Sequence, residues 1–310
     1  MSAVDGLHRH CQVVWKRLAE GKVIPFLGAG ASLCERPPNV DWREDGYLPS
    51  GSELASYFAK SYVYPEEGQL DLVRVSQYVE LAAGDATLFE ELHAIFASQY
   101  EPNKLHRLLA DLPAALRAQG RATPGQLLIT TNYDDALERA FAEAGEEVDI
   151  VLYAAEPNEP GSFVHVKPDG ERVSIPKHTD YRGFALEERS VILKVHGAVD
   201  RKDEAADSYV ITEDHYIDYL ARENVSRLIP AYLMARMRTS HFLFLGYGMR
   251  DWNLRVILRH IWSEQTRHFA SWAIQRDPGE IDERFWERHG VDILNVPLEG
   301  WVDAMRQGLR

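Results

Sequence analysis

Residues 23–32 read Val23-Ile24-Pro25-Phe26-Leu27-Gly28-Ala29-Gly30-Ala31-Ser32. Five apolar residues run straight into a stretch of glycine, alanine and serine. A short continuous apolar run ended by turn residues suits a strand buried on both faces, as in a parallel sheet. The glycines after it suit a tight turn, or a close backbone approach to a phosphate. Gly28-Ala29-Gly30-Ala31-Ser32 matches the dinucleotide fingerprint only in part, because Leu33 stands where a third glycine is expected. A purely structural turn is the equal alternative.

The same pattern recurs along the chain. Leu127–Thr131 (LLITT), Val191–Val195 (VILKV) and Phe242–Leu245 (FLFL) are further apolar runs, and Trp272–Ile274 is a fifth candidate. Helical periodicity lies between them, as in Tyr133–Ala144 and Trp252–Trp262. Strand alternating with helix predicts an α/β fold, an open parallel sheet with helices on both faces. Two stretches interrupt the alternation. Residues 35–104 begin with a Pro-rich loop and continue as helices, with Ser50 and Glu53 forming a capping box, and are expected to be an inserted helical subdomain. Residues 153–187 are rich in Pro, Gly and charge and read as a lid or hairpin insertion. The sheet core is then assigned to 20–34, 105–152 and 188–300.

Composition narrows the function classes. The chain has 310 residues, 45% of them hydrophobic and 26% charged, an ordinary balance for a globular protein. Net charge is −14, from 34 basic and 48 acidic residues, which disfavours direct binding to nucleic acid or an anionic membrane. No apolar run approaches the roughly 18 residues of a membrane span, and the polar N-terminus lacks a signal-peptide core. Two cysteines, Cys11 and Cys34, can build neither a four-thiolate zinc module nor a disulfide framework. A reducing cytoplasm is the expected compartment, and no metal site is expected.

Three further segments carry chemistry. Thr130-Thr131-Asn132-Tyr133-Asp134 ends one of the strands, and ligands of open α/β sheets bind at such ends. Asn132 offers a donor and an acceptor to a water or carboxamide, and Asp134 an anion; either residue could instead simply cap the next helix. Lys194-Val195-His196-Gly197 places an imidazole at another strand end, where it suits a general base or, alternatively, a structural hydrogen bond. Gly246-Tyr247-Gly248-Met249-Arg250-Asp251-Trp252-Asn253 is a second glycine turn, whose Asp251 and Asn253 suit sugar hydroxyls or a helix cap. There is no G-x-S-x-G elbow and no G-x-x-x-x-G-K-[ST] phosphate loop.

Taken in order, GAGAS, TTNYD, KVHG and GYGMRDWN resemble the SIR2-like family, specifically its bacterial anti-phage branch; Thr212-Glu213-Asp214 is similar to that branch too. The resemblance implies a Rossmann-like domain that takes NAD+ as substrate. It implies Asn132 and His196 as the catalytic pair, and Gly28, Ala29, Gly30, Ala31 and Ser32 as the phosphate turn. Thr131 would also bind the cofactor, Asp134 would lie near the nicotinamide end, and Gly246, Tyr247, Asp251 and Asn253 on the adenosine side. Sirtuin deacylases carry a zinc ribbon of two C-x-x-C pairs, which two cysteines cannot build. The implied activity is therefore NAD+ glycohydrolysis by a gated antiviral (abortive-infection) effector. The alternatives are an NAD-dependent deacylase or ADP-ribosyltransferase, and a non-catalytic NAD or ADP-ribose-binding module. Unrestrained NAD+ loss would kill the host cell. The resemblance thus also implies a homo-oligomer and an activating partner, such as a HerA-type ATPase or an Argonaute.

Overall fold

The computed structural model describes residues 3–308 except 67, 121–124, 155–160, 176–178, 222–228, 250–251 and 264–268. Helix α1 (Ala3–Ala19) leads into β1 (Val23–Leu27), a single helical turn α2 (Ala29–Ser32), and then α3 (Gly51–Ser61), α4 (Leu72–Ala83), α5 (Asp85–Phe96) and α6 (Lys104–Ala118). There follow β2 (Leu127–Thr130), α7 (Ala136–Glu143), β3 (Val148–Ala154), β4 (Ser162–Val166), β5 (Arg172–Ile175) and β6 (Ser190–Lys194). A two-stranded ribbon of β7 (Gly197–Ala198) and β8 (Ser208–Tyr209) precedes α8 (Glu213–Ala221), α9 (Ala231–Arg238) and β9 (His241–Leu245). The chain closes with α10 (Trp252–Ser263), β10 (Ser271–Gln275), α11 (Glu280–Glu287), β11 (Val291–Asn295) and α12 (Leu298–Gln307).

The main sheet has the order β11-β10-β9-β1-β2-β6-β3-β4-β5. Its pairs are parallel from β11 to β3, and antiparallel only where β4 and β5 are added. Every residue of β1, β2 and β6 is buried, as expected of strands covered on both faces. Pro25 interrupts the run without breaking the strand. The ladder to β2 covers only Phe26 and Leu27, past the residue that has no N–H to give. One apolar cluster (Phe26, Phe242, Phe244, Leu193, Trp286) fills one side of the sheet, and another (Val14, Leu27, Leu109, Phe141, Trp301) fills the other.

Helices α3–α5 enclose a cluster of their own, with Leu54, Phe58, Val79, Leu88 and Phe96, which extends onto Tyr209 of the β7–β8 ribbon. The Ser50–Glu53 capping box opens α3. Helix α6 packs instead with α7 and α12, under the sheet. The Pro/Gly-rich stretch after β3 does not stand off as a flap: its described part is a hairpin, β4–β5, that continues the main sheet. Two strands carried no clear signal in the sequence. β3 (VDIVLYA) is interrupted by Asp149, which is fully buried and ion-paired to His165 and Arg189. β11 is an edge strand of mixed exposure.

Candidate active site

Strand β1 lies between β2 and β9, so connections from β1 run to one side and those from β9 to the other. Ligands of open α/β folds bind at such a reversal, outside the carboxyl ends of the strands. A cavity of about 310 Å³ opens there. It is lined by Gly28, Ala29, Gly30 and Ser32 after β1, Thr131–Asp134 after β2, His196 after β6, and Gly246–Gly248 after β9. The opposite wall is Leu48–Gly51, Leu54, Leu72 and Phe96 of the helical insertion, with Tyr216 of α8. Small-molecule sites span about 300–1,000 Å³, so this is a compact one, mostly apolar with a few convergent polar groups.

The polar groups are wired together. Asn132 Nδ2 donates to Ser32 Oγ at 3.0 Å, and Ser32 Oγ donates to Asp134 Oδ2 at 3.0 Å. A carboxylate only accepts, so the hydroxyl proton points at Asp134 and the hydroxyl lone pair is left for the amide N–H. This order fixes the sense of the Asn132 amide, which can offer a ligand Oδ1 and the second N–H of Nδ2. The loop itself is anchored by Thr130 Oγ1, which accepts from Asn132 N at 3.0 Å, and by Thr131 N, which donates to Leu27 O at 3.2 Å.

These bonds separate the two readings of the segment. Asp134 Oδ1 does accept from Ala136 N at 3.0 Å, at the start of α7, so it caps as well as orienting Ser32. Asn132 is not a cap. The helix begins at Ala136 rather than at Tyr133, because residues 132–135 spend their side chains on tertiary partners: Tyr133 OH donates to Val210 O at 2.7 Å. Asp135 is gripped by Arg201 at 2.6 Å, by Arg139 at 3.1 Å and by Tyr100 OH at 3.0 Å. Beneath the loop, Lys194 is 1% exposed; its Nζ donates to Asp134 O and to Glu138 Oε1 at 2.7 Å. Burial pushes the Glu138 carboxyl up from its ordinary pKa, and the Lys194 ammonium opposes that.

His196 is buried, and its ring is held edge-on by Tyr216 (5.3 Å) and Tyr219 (5.8 Å). Tyr216 OH lies 3.4 Å from His196 Nδ1. Gly197 does not simply give room to that imidazole. It has φ +87°, and a Cβ there would run into Ser208 O of the ribbon strand β8.

The glycine turns need a similar correction. Gly28 N donates to Leu245 O (3.1 Å), Gly30 N to Gly246 O (2.8 Å) and Ala31 N to Gly28 O (2.8 Å). Those three amides are therefore committed to the protein and not to a phosphate. A Cβ on Gly28 would sit 2.6 Å from the Tyr247 ring, and one on Gly30 would sit 2.7 Å from Gly246 O. The glycines let the β1 and β9 turns pack back to back. Gly248 differs: it lines the cavity, and a Cβ there meets nothing within 4 Å among the described residues. Ala31 is fully buried in the core and does not line the cavity. Asp251 and the side chain of Asn253 lie outside the described residues. Among the described residues no group of three or more His, Cys, Asp or Glu side chains is placed to hold a metal, and both cysteines are buried and free.

Four sequence segments thus meet at one rim, with Asn132 and His196 on the same cavity. A SIR2-like domain model matches residues 126–294, more than half of the chain. The chain belongs to the SIR2-like family. It is 24% identical over 284 residues to the defense-associated sirtuin 2 of Bacillus subtilis, covering 89% of this chain and 23% of that protein. It is 24% identical over 246 residues to the NAD(+) hydrolase ThsA of Cytobacillus dafuensis, covering 79% and 39%. With the ThsA of Acinetobacter baumannii the identity is 28% over 277 residues, covering 87% and 46%. The chain spans less than half the length of these relatives. Within this SIR2-like site, the wall from α3, α4 and α5 was not legible in the sequence. The capping box announces α3, but nothing in the local pattern says which face of it meets the cavity.

Proposed function

We propose that the chain is an NAD+ glycohydrolase that cleaves the bond between nicotinamide and ribose and serves as a gated antiviral effector in the cytoplasm. The observation that carries this reading is the Asp134–Ser32–Asn132 chain, which orients an amide on the same cavity as His196. Nicotinamide leaves as a neutral molecule while positive charge grows on C1′ of the sugar. Groups that are negative or dipolar toward that carbon lower the barrier. Asn132 Oδ1 supplies such a dipole and orients the attacking water. Asp134 connects to that amide through two hydrogen bonds, by way of Ser32. His196 accepts a proton from a ribose hydroxyl or from that water, a role worth typically about 10²- to 10⁴-fold. The apolar wall of Leu48, Leu54, Leu72 and Phe96 excludes bulk water from the ring-binding end. Curated relatives named as NAD(+) hydrolases and as a defense-associated sirtuin support the reading. No described helix is long and apolar enough to cross a membrane. Self-assembly and a protein partner that releases the activity are part of the proposal, because NAD+ loss is toxic.

The test is Asn132→Ala and His196→Ala, assayed for nicotinamide and ADP-ribose under conditions in which the wild type turns NAD+ over. A loss of about 100-fold or more in each, with the thermal melt retained, is expected. Near-normal turnover in both would remove them from the mechanism. Product that appears only when an acylated peptide is added would favour a deacylase instead.

A further inference from the structure

The far edge of the sheet carries a second surface. Among the described residues β11 has a strand neighbour on one side only, β10, with which it pairs from Val291 to Asn295. Natural edge strands are protected by charged residues (lysine above all), by proline, by a bulge, by shortness or by a covering element. β11 reads Val291-Asp292-Ile293-Leu294-Asn295 and has no lysine, proline or bulge; its one charge is the exposed Asp292. Its side chains alternate between two faces. Val291 and Ile293 pack with the cluster that contains Trp286, and Leu294 packs with the cluster that contains Trp301.

A groove accompanies the strand on each face, and the two differ in character. On the α1 face, a groove of about 480 Å³ is lined mainly by Leu7, Val13, Trp272, Leu294 and Val296, with Arg9, Asp292 and Asn295 on it as well. Val13 stands 44% exposed there. His10, beside it, is held near pKa 4 by burial and so is neutral at physiological pH. On the α11 face, a groove of about 260 Å³ is lined by Glu283, Glu287, Val291, Asp292 and Ile293. One side is mainly apolar, with Arg9 and Asp292 also on it; the other is acidic, with no basic residue among its described lining.

We propose that β11 is a docking edge for an extended peptide segment of a partner protein in which apolar residues alternate with lysine or arginine. Such a segment adds a strand to the sheet. Its apolar side chains enter the α1 groove, and its basic side chains enter the Glu283–Glu287 groove. Main-chain hydrogen bonds to β11 supply affinity, and the two grooves supply the alternating specificity. A second copy of this chain fits poorly. Antiparallel pairing of two β11 strands about a twofold axis normal to the sheet would set Glu283 and Glu287 of one copy against those of the other.

The probe is a capped, fluorescently labelled peptide of about seven residues alternating lysine with valine or isoleucine, long enough to overhang β11 at both ends. Anisotropy is measured against the full chain. The lysine peptide is expected to bind saturably, and the matching glutamate peptide about tenfold or more weaker. N-methylation of the amides that face β11 should abolish binding. The exposed double variant Glu283→Lys/Glu287→Lys should reverse the preference between the two peptides. Equal binding of both peptides, binding that survives N-methylation, indifference to the charge reversal, or no saturable binding each overturns the proposal. So would sedimentation showing that copies of the chain pair through this edge. None of these readouts depends on NAD+ turnover.

Discussion

Removing the hydroxyl of Ser32 tests whether the geometry of the site resides in one hydrogen-bond chain. Ser32→Ala deletes two bonds at once, the 3.0 Å contact from Asn132 Nδ2 and the 3.0 Å contact to Asp134 Oδ2. A neutral hydrogen bond contributes about 0.5–1.5 kcal/mol net, and one to a charged group about 1.5–3 kcal/mol. Water reaches part-buried Asn132 and recovers some of this. The loss of positioning is therefore on the order of 1.5–3 kcal/mol, or roughly ten- to a hundred-fold in rate at about 1.36 kcal/mol per decade. It should fall on kcat more than on KM, because a freely turning amide still permits binding but presents the wrong atom part of the time. Nicotinamide release is followed beside a thermal melt, in the single variant and in Ser32→Ala/Asn132→Ala. If Ser32 acts through Asn132, the double variant should be little worse than Asn132→Ala, with a coupling close to the single-variant loss. Turnover within about twofold of wild type, or losses that simply add, would refute the reasoning.

Gly246→Ala should be severe and Gly248→Ala mild. The first has φ +61° and its Cβ would strike Ala31 N, whereas the second meets no described residue within 4 Å; a loss of roughly 2 kcal/mol or more against under about 0.5 kcal/mol is expected from urea titration. Lys194→Met leaves Glu138 buried without its cation and should cost about 3–5 kcal/mol, while Lys194→Met/Glu138→Gln should recover much of that, since it is the unpaired charge that is expensive. His106 is buried and its pKa is lowered from 6.5 to about 4 by desolvation. As pH falls below about 6.5 the unfolded chain takes up the proton first, so this group's effect is to remove stability progressively from there down to about pH 4. His106→Gln should flatten that slope in chemical unfolding measured across the same window, and an unchanged slope would mean that other groups govern it.

Local patterns carried much of the architecture. The largely apolar runs at 23–27, 127–130, 191–194 and 242–245, with helical periodicity between them, suit strands buried on both faces of a parallel sheet with helices above and below. All strands of such a sheet end on one rim, so motifs that each follow a strand, GAGAS, TTNYD, KVHG and GYG, had to gather along it. That inference needs burial and chain direction, both of which are written in neighbouring residues. The partner each residue finds along the rim is not. Strand order sets β9 beside β1, and only then do the glycines of the two turns serve each other. Ser32 and Asn132 are a hundred positions apart, and no local period shows that one orients the other. The helical wall over the cavity, the lysine beneath the loop and the two-faced edge at β11 likewise come from packing between distant segments. Long-range packing is decided by the summed fit of the whole chain, which short windows of sequence do not contain.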